Sequence, residues 1–255
     1  MSQLDHSPQH VVIIGGGPGG YEAALVAAQL GATVTLVDSD GLGGSAVLTD
    51  CVPSKTLIAT AELMSDVRRA RVLGIRLPEK ARDSQAEREV DLHVVNERVK
   101  ALAAEQSADI ARRVTRDGVR VVVGRGRLES NTRVVATLAD GSTEKLDADA
   151  ILIATGAAPR TLPSARPDGE RILTWEQVYD LDEVPESLIV VGSGVTGAEF
   201  ASAYLALGVE VTLVSSRDRV LPGEDADASA VLEEVSVRRG MRVLGESRME
   251  SVTRE

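Results

Sequence analysis

The chain carries one sulfur nucleophile, Cys51, in the stretch GLGGSAVLTDCVPSKT at residues 41–56, four residues before Lys55. Pro53 is suited to the first turn of a helix, where its missing N–H is not needed. A thiol at a helix start with an ammonium group close by is expected to be activated, because both favour the thiolate. No second cysteine exists in the 255 residues, so an intrachain disulfide is excluded. A different chemistry is offered by two glycine turns, GGGPGG at 15–20 and GSGVTG at 192–197. In G-x-G-x-x-G the first glycine permits a tight turn and the second lets the backbone approach a pyrophosphate. The third allows a helix to pack close to a strand, and that helix presents unpaired N–H groups to the anion. Gly15, Gly17 and Gly20, and then Gly192, Gly194 and Gly197, are therefore candidate dinucleotide contacts, with Gly43 and Gly44 forming a loop on the phosphate side of the first turn.

The residue ending the strand after each turn reads the ribose. Asp38 can accept hydrogen bonds from 2′- and 3′-hydroxyls, which suits FAD or NAD and repels a 2′-phosphate. Its counterpart is Ser215, followed by Ser216 and Arg217. A carboxylate about 4 Å from a phosphate charge costs on the order of 1–4 kcal/mol at surface-like dielectric, so this exchange should admit NADPH and leaves the use of NADH open.

The elements that must hold these residues repeat. Residues 10–14, the turn, a helical stretch at 21–30, Gly31 and a strand at 33–37 form the opening of a doubly wound α/β domain. A shift of 177 (192 minus 15) superposes this unit on 187–214, placing Gly20 on Gly197, Glu22 on Glu199, Gly31 on Gly208 and Asp38 on Ser215. Between the units the pattern predicts a helix over 53–70, a polar loop over 78–84 and a helix over 87–115. The last carries Leu92, Val95, Val99 and Leu102 on one face, with Ile110 further along it. Strands are expected at 119–123, 133–138 and 145–153, with Asp140-Gly141 turning a hairpin, and 161–169 reads as a connector. After Val214 a helix at 225–240 and a strand at 241–244 complete only a β-α-β-α-β half, so the second unit looks unfinished and its sheet should be left partly uncovered.

Composition narrows the class further. Hydrophobic residues make up 43% but aromatics only 2%, so the core must be Val, Ala, Leu and Ile, as in sheets buried on both faces. A formal charge of -11 with no basic block argues against nucleic acid, and no apolar run is long enough to span a membrane. The polar start lacks the features of a signal peptide, and one cysteine fits a reducing compartment, so the expected location is cytoplasmic. No metal site is assigned.

Four motifs in order, the 15–20 turn, Cys51-Val-Pro-Ser-Lys55, Ala154-Thr155-Gly156 and the second turn through Glu199, make the chain resemble the flavoprotein disulfide reductase family. The resemblance implies an FAD-binding domain over 9–160, a connector over 161–170, and the first part of an NAD(P)-binding domain over 171–255. It implies that the first turn takes FAD and that Lys55 lies against the flavin, paired with Glu199. Gly126 would meet the adenosine part, and Ala154, Thr155 and Gly156 the cofactor's central region. Family members relay electrons through two cysteines, C-x-x-x-x-C. Here Ala46 stands at the first position, so the dithiol relay is chemically impossible and Cys51 becomes a neighbour of the flavin rather than half of a disulfide. The family's returning flavin-binding segment, interface domain and His–Glu relay have no match, and His6, His10 and His93 are expected on surfaces or helix faces. The function implied is NAD(P)H oxidation through FAD to a quinone-like acceptor, with a homodimeric full-length form. The alternatives are a dihydrolipoamide dehydrogenase-like enzyme or a non-catalytic flavin-binding fragment.

Overall fold

The structure is a computed structural model that describes residues 9–70, 72–75 and 90–254. His6, the 78–84 loop and the first residues of the 87–115 stretch lie outside these. The chain packs as two compact units, residues 1–53 with 101–158, and residues 54–100 with 159–255. This packing division is interleaved along the chain, whereas the functional division implied by the motifs is sequential.

In the first unit β1 (His10–Ile14), α1 (Pro18–Gln29) and β2 (Thr33–Asp38) form the expected β-α-β element, with β1 and β2 parallel and Ile14 opposite Val37. The six-stranded sheet has the order β5 (Thr143–Asp147), β4 (Arg133–Leu138), β3 (Arg120–Ser130), β2, β1, β6 (Ala150–Ile153). Alternation along β1 and β2 decides which face each side chain joins. Ile13, Val34 and Leu36 pack under α1 and the last turns of α4 (Leu92–Arg116), with Ala24, Leu25 and Val114. Val12, Ile14 and Val37 lie on the other face with Val134, Ala136 and Leu146 of the antiparallel strands. The sheet core is thus aliphatic and covered on both sides, as the composition requires.

Three expectations are corrected here. The strand expected at 119–123 is β3 (Arg120–Ser130), which runs on through both glycines because it changes partner midway. Residues 120–123 pair with β2, and from Gly124 onwards with β4 (Arg133–Leu138). Close neighbours explain the glycines, since a Cβ on Gly124 would lie 2.6 Å from the Thr137 carbonyl oxygen and one on Gly126 2.8 Å from Ile14 Cγ2. The single strand expected at 145–153 is two. β5 (Thr143–Asp147) closes the hairpin on β4, and β6 (Ala150–Ile153) crosses to pair with β1, pinned where His10 N donates to Asp149 Oδ2 at 2.8 Å. On α4, Leu92 and Val99 are buried but Leu102 is exposed, and Ala103 takes the inner position. Leu102 sits about 100° round the helix from the centre of the buried stripe, at 100° per residue.

The second unit repeats the opening element with β7 (Ser187–Val191), α5 (Val195–Ala206) and β8 (Glu210–Val214), followed by α6 (Ala226–Arg238) and β9 (Arg242–Leu244). Its three strands are parallel in the order β7-β8-β9, and Val191 stands opposite Val214. Phe200, Tyr204 and Leu207 of α5 pack with Val211 and Leu213 of the sheet, and with Leu57 and Ala61 of α3 (Cys51–Arg69). The opposite sheet face is open among the described residues, with Ile189 69% and Val191 51% exposed. Their counterparts in the first unit, Val12 and Ile14, are 0% and 7% exposed.

Candidate functional site

The two turns share one backbone geometry. Gly15 and Gly192 adopt left-handed φ values of 104° and 114°, which favour glycine. Gly17 caps α1 at φ −68°, ψ −178°, and Gly194 caps α5 at φ −71°, ψ −176°. Neither cap supplies a side chain to the first turn; in α1 Pro18 has no N–H and Gly20 N is taken by Gly17 O at 2.9 Å, so the Gly19 N–H and the helix dipole are what α1 offers an anion. Gly20 and Gly197 are required by packing, because a Cβ on either would lie 1.8 Å from the carbonyl oxygen of Gly15 or Gly192. The turn is bound to its second strand in the same way, with Gly15 N donating to Val37 O at 2.8 Å and Gly192 N to Val214 O at 2.9 Å.

In the first unit most of the candidate residues converge. Gly43 N donates to Gly16 O at 2.8 Å, and a Cβ on Gly44 would lie 2.7 Å from Gly17 Cα, so the 41–44 loop lies directly on the turn. Ala154 lies against the other side, its carbonyl oxygen 2.2 Å from where a Gly15 Cβ would sit. Thr155 is exposed and Gly156 has φ 66°, which carries the chain away from the turn. Asp38 Oδ2 accepts from Gly16 N at 2.7 Å, and Oδ1 accepts from Asp40 N and Gly41 N at 2.9 Å each. These bonds fix the carboxylate at the strand end, beside the glycine turn. The narrow glycine cradle at the N-terminus of α1 fits the pyrophosphate of a dinucleotide such as FAD. Gly126 lies on β3 against Ile14 and Val37. Ala46, on α2 (Gly44–Leu48), is half-buried, and Cys51 begins α3 with its side chain exposed.

In the second unit Lys55 Nζ lies 2.6 Å from Glu199 Oε1, as the family resemblance implies. Sequence reasoning missed Ser54, which is 1% exposed and donates to Glu199 Oε2 at 3.2 Å. Both carboxylate oxygens are therefore engaged, and the ammonium keeps 57% of its side chain exposed while Glu199 keeps 22%. A positive charge restrained in this way can sit beside an electron-rich group without collapsing onto it.

The strand end of this unit is built differently. Ser215 is fully buried, and its Oγ is engaged on every side. It accepts from Ser193 Oγ at 2.7 Å and Arg217 N at 3.1 Å, and faces the carbonyl oxygens of Arg217 at 3.1 Å and Arg219 at 3.2 Å. Ser216 and Arg217 are exposed at the tip. Ser193 was also missed, although the 177-residue shift sets it on Gly16 and marks the difference. His10 Nε2 on β1 bonds Thr35 Oγ1 on β2 at 3.0 Å, and His93 Nδ1 bonds Asp182 Oδ1 at 3.0 Å, which raises the His93 pKa. Neither touches the glycine turns. Among the described residues no helix is long and apolar enough to cross a membrane.

Residues 9–255 match the family described as pyridine nucleotide-disulphide oxidoreductase. A curated relative from Mycobacterium tuberculosis, named NAD(P)H dehydrogenase (quinone), is 55% identical over 253 residues, covering 96% of this chain and 50% of the relative. The dihydrolipoyl dehydrogenase of Zymomonas mobilis is 34% identical over 95% of this chain and 50% of its own. The crystal structure of LpdA from M. tuberculosis superposes with a TM-score of 0.88 at 54% identity, covering 97% of this chain and 53% of that one. The chain spans about half the length of the curated relatives it matches.

Proposed function

From the premise that the chain belongs to the pyridine nucleotide-disulphide oxidoreductase family, we propose that it serves an FAD-dependent oxidoreductase that oxidises NAD(P)H and reduces a quinone-like acceptor directly. The observation that carries this reading is the single cysteine: the flavin-side Cys51 stands alone, with Ala46 five residues before it, so no dithiol can relay electrons. When bound, FAD would supply two-electron redox chemistry between the nicotinamide and the acceptor, so that NAD(P)H, a proton and a quinone yield NAD(P)⁺ and a hydroquinone. The chain's own residues bind and orient. Gly15, Gly17 and Gly20 would admit the FAD pyrophosphate to the N-terminus of α1, with Gly43 and Gly44 alongside and Asp38 available to the ribose. Gly192, Gly194 and Gly197 would do the same for the nicotinamide nucleotide, and the absence of a carboxylate at Ser215 with Arg217 nearby favours NADPH. Lys55, restrained by Glu199, is the ammonium that the resemblance sets beside the flavin, where it would stabilise negative charge on the reduced ring.

The name of the M. tuberculosis relative supports a quinone acceptor. The dihydrolipoyl dehydrogenase names support a dihydrolipoamide dehydrogenase-like activity, but lipoamide chemistry needs a disulfide that this chain cannot form. The test is steady-state NADPH oxidation by the FAD-supplemented protein, with a benzoquinone or with lipoamide as acceptor. Turnover with the quinone and none with lipoamide is expected. Lipoamide turnover without quinone turnover would overturn the proposal.

A further inference from the structure

The duplication offers an internal comparison at the strand end. In the first unit, position 16 is a glycine and position 38 an aspartate, and the two are matched. A Cβ on Gly16 would lie 3.1 Å and 3.2 Å from Asp38 Cβ and Cγ, and 2.4 Å from Leu42 Cδ2. A side chain there and a carboxylate at the strand end compete for one space. The glycine also leaves its N–H pointing at Asp38 Oδ2, at 2.7 Å. Under the 177-residue shift, the second unit has Ser193 and Ser215 at these places, and both are buried, at 5% and 0% exposure. Their hydroxyls bond each other at 2.7 Å.

The loop after each strand end hangs on the same two positions. Asp40 N donates to Asp38 Oδ1 at 2.9 Å in the first unit, and Arg217 N donates to Ser215 Oγ at 3.1 Å in the second. Each loop then returns to its turn, through Gly43 N to Gly16 O and Leu221 N to Ser193 O, both at 2.8 Å. The difference lies in what fills the strand end. The Ser215 hydroxyl can donate to only one of the two carbonyls it faces, and its lone pairs are taken by Ser193 and Arg217 N. Fully buried among these four polar partners, it is not presented to a ribose hydroxyl. Its work is to hold the 216–219 segment, and Ser193 completes the hold.

We propose that nucleotide choice in the second unit is set by the matched pair Ser193–Ser215, with Ser193 as a specificity-determining positioning residue that excludes a strand-end carboxylate and fixes the arginine loop for a 2′-phosphate. The proposal rests on the reading of this unit as the nicotinamide-nucleotide site. Its consequence is that Ser215→Asp alone is not the switch to NADH. With Ser193 in place, the larger carboxylate has to share the space that the Ser193 side chain fills and to face the Arg217 and Arg219 carbonyl oxygens, and the Ser193 hydroxyl and Arg217 N, which already donate there, offset only part of that cost. Only with Ser193→Gly does it gain the space beside the backbone that Asp38 has beside Gly16.

The experiment is a four-member cycle of the full chain: the native protein, Ser193→Gly, Ser215→Asp and the double variant. Dissociation constants for NADPH and NADH are read by calorimetry and the melting temperature by circular dichroism. Ser215→Asp alone should lower the melting temperature and weaken NADPH on the order of 10-fold without strengthening NADH. The double variant should recover the melting temperature and move the NADPH-to-NADH affinity ratio on the order of 100-fold towards NADH. The assignment is overturned if Ser215→Asp alone melts like the native chain and shifts the ratio as far as the double variant does. A native chain that binds neither nucleotide would overturn the nicotinamide reading, and this assignment with it.

Discussion

Gly17→Ala and Gly20→Ala add the same methyl group three residues apart and should fail in opposite ways. At Gly17 the nearest atom to a new Cβ is Gly44 Cα, at 3.8 Å, an ordinary contact. The backbone there, at φ −68°, suits alanine, and the main penalty is the poorer N-cap, a few tenths of a kcal/mol to about 1. At Gly20 the Cβ would sit 1.8 Å from Gly15 O and 2.9 Å from Gly15 C. No rotamer relieves a methyl group, so α1 must move off β1. Overpacking of this kind costs at least about 1–3 kcal/mol. At about 2–4 °C per kcal/mol for a chain of this size, the melting temperature should fall by about 2–12 °C. The ligand sees the reverse order. A methyl on Gly17 stands where a pyrophosphate must approach the helix N-terminus. Losing one charge-assisted hydrogen bond there, about 1.5–3 kcal/mol, weakens FAD on the order of 10- to 100-fold. Thermal melts of the apo-chain measure the first effect, and titration of FAD fluorescence the second. The second unit is the control, since a Cβ on Gly194 meets nothing within 4 Å and one on Gly197 lies 1.8 Å from Gly192 O. Native-like FAD affinity in Gly17→Ala, or native-like melting in Gly20→Ala, would refute the reasoning.

Glu199→Gln removes the charge facing Lys55 but keeps the side chain's shape. The pair is part-exposed, so stability should change by no more than about 1 kcal/mol, while NADPH-driven flavin reduction falls on the order of 10-fold or more. An unchanged reduction rate in stopped flow would remove the pair from the mechanism. Asp168 accepts backbone N–H bonds from Ile172, Glu170 and Arg171, and these lower its pKa from 3.8 to about 2. Because the folded value is the depressed one, its stabilisation of the 168–172 turn is complete above the unfolded pKa. It is lost as pH falls from about 4 towards 2. Hydrogen exchange at the three amides should therefore quicken, relative to Asp168→Asn, only over that interval. Protection that does not change with pH there would contradict the assignment.

How far the sequence was legible follows from the range of the interactions involved. The turns, β1, β2, β7 and β8 could be read because G-x-G-x-x-G and the apolar runs are local patterns, and the 23-residue spacing from Gly15 to Asp38 recurs from Gly192 to Ser215. The Lys55–Glu199 pair spans 144 residues and was reachable only through family resemblance. Ser54 was not reachable even so, because a serine beside a lysine has no pattern that announces burial. The division of 145–153 into β5 and β6 was hidden for a related reason. Both halves are strands, and only their partners, β4 on one side and β1 on the other, differ.

The strands β1 and β7 show where such reading stops. HVVII and SLIVV are equally apolar, and the 177-residue shift aligns them without a gap. By pattern alone both are strands buried on two faces. In the first unit they are, because Val12 and Ile14 meet Val134, Ala136 and Leu146, which arrive more than a hundred residues later. In the second unit Ile189 and Val191 have no such neighbours among the described residues and stay exposed. The turn itself is unaffected by this. Gly192 keeps its left-handed φ, and Gly197 its close approach to the Gly192 carbonyl, although no described residue plays for it the part that Ala154 plays for Gly15. Turn geometry is therefore set by the strand–glycine–helix segment alone, and burial of the strand by whatever the chain brings to it from elsewhere. The nucleotide-binding turn can be inferred from twenty residues, but the stability of the sheet that carries it cannot.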